Sequence, residues 1–205
     1  MRQRGLQALT SRRYRPVTSD GKALSPSPNL LKDKTAPTSP NQAWVGDITY
    51  LNAALGWVYL ALVIDLYSRK VIGWEVADHM RSGLVTGALK QALYSRGRSK
   101  AKLIFHSDRG SQYGSASFRA LLRAKQITQS MSAKANPYDN AYCESLIGTL
   151  KQEMNLKRPF ASIREAKSQL FEYIEAYYNT KRKHSALNYK SPFQFEKLTQ
   201  NIIIS

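Results

Sequence analysis

Acidic side chains are scarce in this basic sequence, and the positions of three of them suggest chemistry. Asp47 lies among strand-forming residues, where a carboxylate is costly to bury unless it is paired or holds a metal ion. Asp108 comes directly after a predicted strand, and strand ends in mixed sheets often carry functional groups. Glu144 opens a predicted helix. Each residue also has an ordinary structural explanation: an ion pair, a turn or an interaction with the helix dipole.

A predicted alternation of strands and helices must position these carboxylates. Apolar and β-branched patterns predict strands over residues 44–51, 57–66, 70–77, 102–106 and 127–131. Apolar residues at helical spacing predict helices over residues 83–95, 115–125, 141–154 and 163–178. Because short turns join the first three strands, these should form an antiparallel meander. The expected fold class is α/β: a five-stranded mixed sheet flanked by helices, with Trp44, Trp57 and Trp74 in its core.

The composition points to a nucleic-acid partner. The chain carries 31 Lys and Arg residues against 14 Asp and Glu residues, a formal net charge of +17. Such a surplus is costly unless a polyanion neutralises it. A membrane surface is the competing partner, but there is no strongly amphipathic basic helix and no lipidation signal. A signal peptide, a transmembrane run and a disulfide framework are absent too, which predicts a cytoplasmic protein.

Five stretches of the sequence carry a resemblance to a known family. They cover about residues 37–195 and read WVGDITYL, GWVYLALVIDLYSRKVIGWEV, HSDRGSQYGS, NPYDNAYCESLIGTLKQE and YNTKRKHSALNYKSPFQF. Sixty residues separate Asp47 from Asp108, and thirty-five separate Asp108 from Glu144. In these features the chain resembles the DDE transposases and retroviral integrases, and most closely the OrfB product of the bacterial insertion sequence three family. The resemblance implies an RNase H-like fold, in agreement with the predicted order of elements.

The resemblance also implies a reaction and its cofactors. Asp47, Asp108 and Glu144 would be the catalytic residues and the metal ligands, with Asp47 shared between two Mg²⁺ or Mn²⁺ ions when DNA is bound. Such a pair of ions can activate the attacking oxygen and stabilise the leaving one. The implied activity is metal-dependent DNA strand cleavage followed by strand transfer. The implied partners are element ends and target DNA, further copies of the chain and an upstream OrfA-type DNA-binding protein, in the bacterial nucleoid.

Ten residues are candidate DNA contacts. Lys151 lies seven residues after Glu144, on the same helix face, where integrases have a basic residue that contacts DNA. The others follow Asp108, precede Glu144 or lie in the C-terminal motif: Arg109, Gln112, Tyr113, Lys134, Asn136, Tyr138, Lys181, Arg182 and Lys183. Ordinary alternatives remain open, namely a solvated surface position for Lys151, turn formation around Gly110 and packing for Tyr138.

Three residues near the motifs are expected to have structural roles. Asp65 ends a predicted strand, and an ion pair with Arg69 or Lys70 is the favoured explanation. Cys143 precedes Glu144 without a readable Cys/His pairing, so a small buried residue is favoured over a nucleophile. His106 lies two residues before Asp108 and is expected to support the site rather than to bind metal.

The chain is predicted to have three parts. Residues 1–40 form a basic extended arm, residues 41–180 the RNase H-like integrase catalytic core and residues 181–205 a basic C-terminal tail. Family members usually carry an upstream helix-turn-helix domain, so a truncated copy is one alternative. Its function would be that of a non-catalytic DNA-binding fragment that modulates full-length transposase. A related RNase H-like nuclease without strand transfer is another alternative, although the C-terminal YNTKRKH motif favours a transposase.

Overall fold

A five-stranded mixed sheet forms the centre of the computed structural model, which describes residues 26–32, 35–97, 102–132, 141–154 and 158–204. The strands are β1 (Ala43–Ala53), β2 (Gly56–Asp65), β3 (Val71–Ala77), β4 (Ile104–Ser107) and β5 (Thr128–Met131). Their spatial order is β3-β2-β1-β4-β5. The first three strands pair antiparallel, whereas β4 lies parallel to both β1 and β5. The predicted α/β fold class and the antiparallel meander are thus confirmed.

Six α-helices accompany the sheet in the described part of the chain. They are α1 (Ser82–Arg96), α2 (Ser111–Gly114), α3 (Ala116–Ala124), α4 (Ala141–Glu153), α5 (Ile163–Phe171) and α6 (Pro192–Ile204). The helix predicted over residues 115–125 is confirmed as α3, whereas the short helix α2 before it was not predicted. Ser115 has an extended backbone that separates α2 from α3, and its hydroxyl accepts the N–H of Phe118 as the cap of α3.

The helix predicted over residues 163–178 is an α-helix only as far as Phe171. After α5 the chain continues as a π-helical segment, Glu172–Tyr178. The wider turn ends where the Asn179 N–H donates to the carbonyl of Ile174, five residues earlier, at 2.9 Å. The Asn179 side chain in turn bonds both the N–H and the carbonyl of Val71, so it ties this segment to the start of β3.

Side-chain alternation along the strands divides the core into two layers. On β1, Trp44 and Ile48 face the layer covered by α1 and α3, whereas Val45 and Leu51 face the layer covered by α4 and α5. Helix α1 lies so close to the sheet that a Cβ added at Gly73 would come within 2.3 Å of a helix carbonyl oxygen. Both faces of β1 are therefore packed, which fixes the strand that carries Asp47.

A buried ion network fastens helix α6 to this core. We define it as Asp65, Arg96, Glu196 and Lys70. The Arg96 guanidinium contacts Asp65 at 3.3 Å and also pairs with Glu196, while Lys70 lies 3.6 Å from Glu196. The ion pair predicted for Asp65 with Arg69 or Lys70 was wrong about the partner. Arg96 reaches Asp65 because the end of α1 lies beside the end of β2, a proximity that no local pattern reveals.

Part of the segment expected to be an extended arm lies along β5. The Met131 N–H donates to the carbonyl of Pro28 at 3.3 Å, and the Leu30 N–H donates to the Ser130 hydroxyl at 2.9 Å. The Ser27 hydroxyl adds a bond to Gln129 at 3.1 Å. Residues 27–30 therefore cover the outer edge of β5.

Two further expectations concern surface and solvent. Trp44 and Trp74 are buried, as predicted, but Trp57 is partly exposed near the tip of the β1–β2 hairpin, so its assignment to the core was wrong. Its position next to the turn carries it beyond the cover of the helices. Within the described ranges, no helix combines the length and the apolar character that crossing a membrane requires.

Candidate active site

Strand register brings Asp47 and Asp108 together. Gly46 of β1 and Ser107 of β4 are directly paired in the parallel ladder, and the two aspartates are the next residues on their chains. Strand β4 ends there, while β1 continues to Ala53. Asp47 therefore lies just beyond the last residue of β1 that pairs with β4. Asp108 lies at the corresponding position after β4, so the two carboxylates are neighbours.

The backbone around each aspartate fixes its side chain. Oδ1 of Asp47 accepts the N–H of Ile48 at 2.8 Å, and Oδ1 of Asp108 accepts the N–H of Gly110 at 3.0 Å. Beneath them, Phe105 and Tyr113 fill the space next to Gly46, since a Cβ there would lie 2.5 Å from the Phe105 ring. The glycine before Asp47 thus allows the aromatic floor of the site to pack tightly.

Helix α4 supplies the third carboxylate. Cys143, Leu146 and Leu150 turn one face of the helix into the layer that also contains Val45 of β1. Glu144 lies in the first turn and is exposed to solvent. Packing of the apolar face therefore directs the first turn of α4, with its glutamate, towards the aspartate pair.

The electrostatics show that Asp108 and Glu144 both act on Asp47. The pKa of Asp47 is raised to about 7, first because burial disfavours its charge, then because of the Asp108 charge and, to a smaller extent, that of Glu144. The Ile48 N–H and the Lys151 charge oppose this rise. Repulsion among three acidic groups should raise at least one carboxylate pKa, and Asp47 is that group, with burial as the largest cause.

The chemistry of the three carboxylates fits a divalent cation, although the described side chains are not close enough together to hold one. Among the residues that the structure describes, no three His, Cys, Asp or Glu side chains are grouped closely enough to hold one metal ion. Carboxylate oxygens are nevertheless the ligands that Mg²⁺ and Mn²⁺ prefer. A cation between these groups would also relieve the repulsion on Asp47. Completing such a site requires the three carboxylates to come closer together.

Lys151 lies at the margin of the same site. Its charge acts on Asp47, and its Nζ lies 4.6 Å from the centre of the Tyr50 ring. The side chain is partly exposed. The predicted position on the Glu144 side of the helix therefore brings its ammonium group near the carboxylates, and its contact with DNA remains a prediction.

The residues after Asp108 differ in exposure. Arg109 is partly exposed, and its Nε donates to the carbonyl of Ser132 at 2.8 Å. Gln112 donates to the carbonyl of Met80 at 3.1 Å, and Gln112 and Tyr113 are buried. Burial gives Gln112 and Tyr113 a packing role in this structure, and the DNA contacts predicted for them stay predictions.

The remaining candidate contacts fall in two places. Lys134, Asn136 and Tyr138 lie outside the described residues. In the C-terminal motif, Lys181 and Lys183 are exposed, whereas Arg182 pairs with Glu153 at 2.8 and 3.0 Å. Glu153 ends α4 and also accepts the Tyr173 hydroxyl at 2.8 Å. Arg182 thus braces the helix that carries Glu144, a structural role that sequence reasoning missed.

The two neighbours that were expected to be structural are buried. His106 lies between the hydroxyls of Ser130 and Ser132, at 2.8 and 3.1 Å from its two ring nitrogens. Cys143 is fully buried, and burial raises the pKa of its thiol well above the usual range. A neutral buried thiol is a poor nucleophile, so Cys143 serves packing.

Replacing Asp47 by asparagine should stabilise the metal-free protein above neutral pH. The native pKa of Asp47 lies above its unfolded value of 3.8, so stability falls as the pH rises from about 4 to about 7. Asparagine has no charge to desolvate and escapes this loss. We expect a gain of about 2 kcal/mol at pH 8, since partial exposure reduces the upper limit of about 4 kcal/mol that a three-unit shift implies.

Denaturant unfolding of both proteins in a chelator, between pH 4 and pH 8, measures this difference. The gain should vanish near pH 4 and level off above pH 7. Addition of Mg²⁺ should stabilise the wild type more than the variant. An asparagine variant that is no more stable than the wild type at pH 8 would show that Asp47 is not under electrostatic strain.

Comparison with known families agrees with this architecture. The integrase core domain family matches residues 37–137, and a second family of the same description matches residues 125–192. Together the matches include all three carboxylates and reach into the C-terminal motif.

Curated relatives extend the match over almost the whole chain. The transposase for insertion sequence element IS904 of Lactococcus lactis is 44% identical over 194 residues, which are 94% of this chain and 76% of that protein. Transposase InsF for insertion sequence IS3A of Escherichia coli (strain K12) is 44% identical over 196 residues, which are 96% of this chain and 68% of the relative.

Solved structures share the fold at lower identity. A chain of the simian T-cell lymphotropic virus intasome has a TM-score of 0.64 and 20% identity, and covers 79% of this chain and 56% of its own. The HTLV-2 integrase catalytic core domain in complex with magnesium has a TM-score of 0.60 and 20% identity. The match covers 78% of this chain and 98% of the HTLV-2 chain. The sheet is therefore RNase H-like. With its relatives at 44% identity, this chain belongs to the integrase core family and, within it, to the transposases of the insertion sequence three family.

Proposed function

We propose that Asp47, Asp108 and Glu144 are the catalytic carboxylates with which this transposase cleaves DNA strands and transfers the new ends. One observation carries the assignment: two neighbouring parallel strands deliver Asp47 and Asp108 side by side, and the charges of Asp108 and Glu144 both act on Asp47. The chain as a whole, with its net charge of +17, attracts the phosphates of DNA. The three acidic groups form a local site that attracts cations instead.

Two Mg²⁺ or Mn²⁺ ions would be held by these residues, with Asp47 shared between them. When bound, the ions would supply Lewis-acid activation of the attacking oxygen and charge stabilisation at the leaving oxygen. The magnesium in the HTLV-2 integrase core supports this choice of cation. Asp108, held by the Gly110 N–H, would keep one face of the site fixed, while Glu144 closes it from the helix.

The protein groups around the carboxylates orient DNA rather than attack it. The buried Cys143 thiol is unsuited to nucleophilic attack. Water would therefore be the nucleophile for cleavage, and a DNA 3′-hydroxyl for strand transfer. Lys151 would hold a phosphate next to the site, and Arg109 would orient the strand from the Asp108 side. The remaining candidate contacts are proposed on sequence grounds: Gln112, Tyr113, Lys134, Asn136, Tyr138, Lys181, Arg182 and Lys183.

Assembly and partners follow the same proposal. The substrates would be element ends and target DNA, bound by several copies of the chain, with an upstream OrfA-type protein to recognise the ends. Residues 1–40 would act as a basic arm, residues 41–180 as the catalytic core and residues 181–205 as a basic tail, although the last part includes helix α6. The protein would work in the bacterial nucleoid.

Cleavage of a supercoiled plasmid tests the proposal. The full chain is incubated with plasmid and Mn²⁺ or Mg²⁺, beside Asp108→Asn and a chelator control. We expect nicks with 3′-hydroxyl ends that need the metal and disappear in Asp108→Asn. A labelled oligonucleotide with a free 3′-hydroxyl should become joined to the plasmid.

The other outcomes identify the alternatives. Metal-dependent nicks without joining would favour a nuclease. Plasmid binding by both proteins without any nick, even after an OrfA-type partner is added, would favour a non-catalytic DNA-binding fragment.

A further inference from the structure

A surface next to the carboxylates is not used by the reaction described so far. It consists of Tyr50 and Trp57, which we call the aromatic strip. The two rings meet edge to face, with centres 4.9 Å apart and planes at 83°. Lys151 places its ammonium group 4.6 Å from the Tyr50 ring centre, and its charge also acts on Asp47. Carboxylate, ammonium and aromatic rings therefore follow one another along the surface.

Strand geometry sets the reach of this strip. Tyr50 lies three residues after Asp47 on β1, a distance of about 10 Å along an extended strand. Trp57 lies opposite Asn52 at the start of β2. The described ladder between β1 and β4 ends at Gly46, and Phe160 bonds the edge of β1 again at Asn52 and Ala54, so Tyr50 lies between these two paired stretches. Lys151, which contacts the Tyr50 ring and whose charge acts on Asp47, therefore links the strip to the carboxylates.

The simplest explanation of the strip is a cross-strand aromatic pair that stabilises the hairpin. That explanation does not account for the partial exposure of both rings to solvent. Trp44 and Trp74 show 1% and 8% of their surface, whereas Tyr50 and Trp57 both stay partly exposed. An aromatic surface beside a cation is what proteins use to stack unpaired bases of a nucleic acid, because every base has a π-face.

We propose that Tyr50 and Trp57 form a stacking platform for one or two unpaired bases of the DNA strand next to the scissile phosphate. Lys151, held over Tyr50, would bind the intervening phosphate and so link the platform to the carboxylates. The position of that phosphate rests on the proposed function, but stacking itself does not. The ligand class is single-stranded DNA or a frayed duplex end.

Binding to labelled oligonucleotides tests the platform without any cleavage. The full chain is titrated, in a chelator, with a 12-nucleotide single strand and with the matching duplex, and anisotropy gives the affinities. Tyr50→Ala and Trp57→Ala should each weaken single-strand binding about tenfold while duplex binding changes less than about twofold. Neither variant removes a charge, so the salt dependence should stay as in the wild type, whereas Lys151→Ala should reduce its slope by about one.

Matched variants and intrinsic fluorescence control the experiment. Leu55→Ala alters a fully exposed side chain of the same hairpin, and Tyr94→Ala removes a tyrosine that is 92% exposed on α1. Both should bind like the wild type. Tyr50→Phe and Trp57→Phe keep a ring and should restore affinity if an alanine variant folds poorly. Single strands should quench wild-type tryptophan fluorescence and leave Trp57→Phe unquenched, because the other two tryptophans are buried.

Three results would overturn the proposal. Unchanged single-strand affinity in both alanine variants would leave the strip with its hairpin role alone. An equal loss for single strand and duplex would indicate a general defect. A change in self-association by sedimentation, without a change in oligonucleotide binding, would make the strip a contact between copies. Because no metal is present, a failure of catalysis would not affect any of these results.

Discussion

Replacement of Glu144 by glutamine is expected to lower metal-dependent strand cleavage at least about a thousandfold, because the loss of a metal ligand removes several kcal/mol of transition-state stabilisation. The fold should be unaffected. Glu144 is exposed in the first turn of α4, and the opposite face of the helix holds the packing contacts. Stability should therefore change by less than about 0.5 kcal/mol.

A matched carboxylate controls this experiment. Glu172 is also an exposed glutamate on a helical segment, far from the carboxylates in sequence, and Glu172→Gln should cleave like the wild type. Cleavage rates on supercoiled plasmid and melting temperatures are measured for all three proteins. Wild-type cleavage by Glu144→Gln would remove Glu144 from the site, and would leave the function to be carried by other groups.

Replacement of Arg96 by alanine should destabilise the fold by about 3–5 kcal/mol, because it leaves two buried carboxylates without their main counter-charge. Asp65 is fully buried and Glu196 nearly so, and Arg96 pairs with both. Lys70 is the other cation of the buried ion network and lies 3.6 Å from Glu196. Helix α6 should loosen first, since Glu196 is its buried anchor.

Arg123→Ala is the matched control, because Arg123 also ends a helix but is exposed. Its effect should be within about 0.5 kcal/mol. The loss in Arg96→Ala should shrink as the pH is lowered from 8 to 4.5, since protonated carboxyls need no counter-charge. A double-mutant cycle with Glu196→Gln should show that the two effects are not additive. Equal stability of Arg96→Ala and Arg123→Ala would mean that the network contributes nothing.

The sheet could be predicted because its signals are local: the strands around Asp47 and Asp108 read as apolar runs with short turns. The grouping of the two aspartates came from their spacing and from the resemblance, since the pairing of β1 with β4 joins distant segments. The order of elements also fitted the resemblance. Glu144 needed only a helix start to be located, although its approach to the other two carboxylates could not be read from spacing.

What could not be predicted depends on contacts between distant segments. Arg96 and Glu196 are one hundred residues apart, and neither stands out in its own helix. Lys151 meets Tyr50 only because α4 packs against β1. Trp57 sits in an apolar run that reads as a buried strand, and its exposure follows from the end of helical cover near the hairpin turn. Periodicity reports which face of an element is apolar, but not how far its partner extends.

The cover that residues 27–30 give to β5 has a consequence for the behaviour of trimmed protein. A bare edge strand presents unpaired backbone groups to any other extended chain, and proteins that expose one tend to aggregate. The bonds from Pro28 and Leu30 to β5 withdraw part of that edge from such pairing. A protein cut back to residue 35 would keep its carboxylates and its two core layers, yet it would lose this shield. We expect such a shortened protein to be poorly soluble. The cause would be intermolecular pairing at the exposed edge of β5, and not misfolding of the catalytic site.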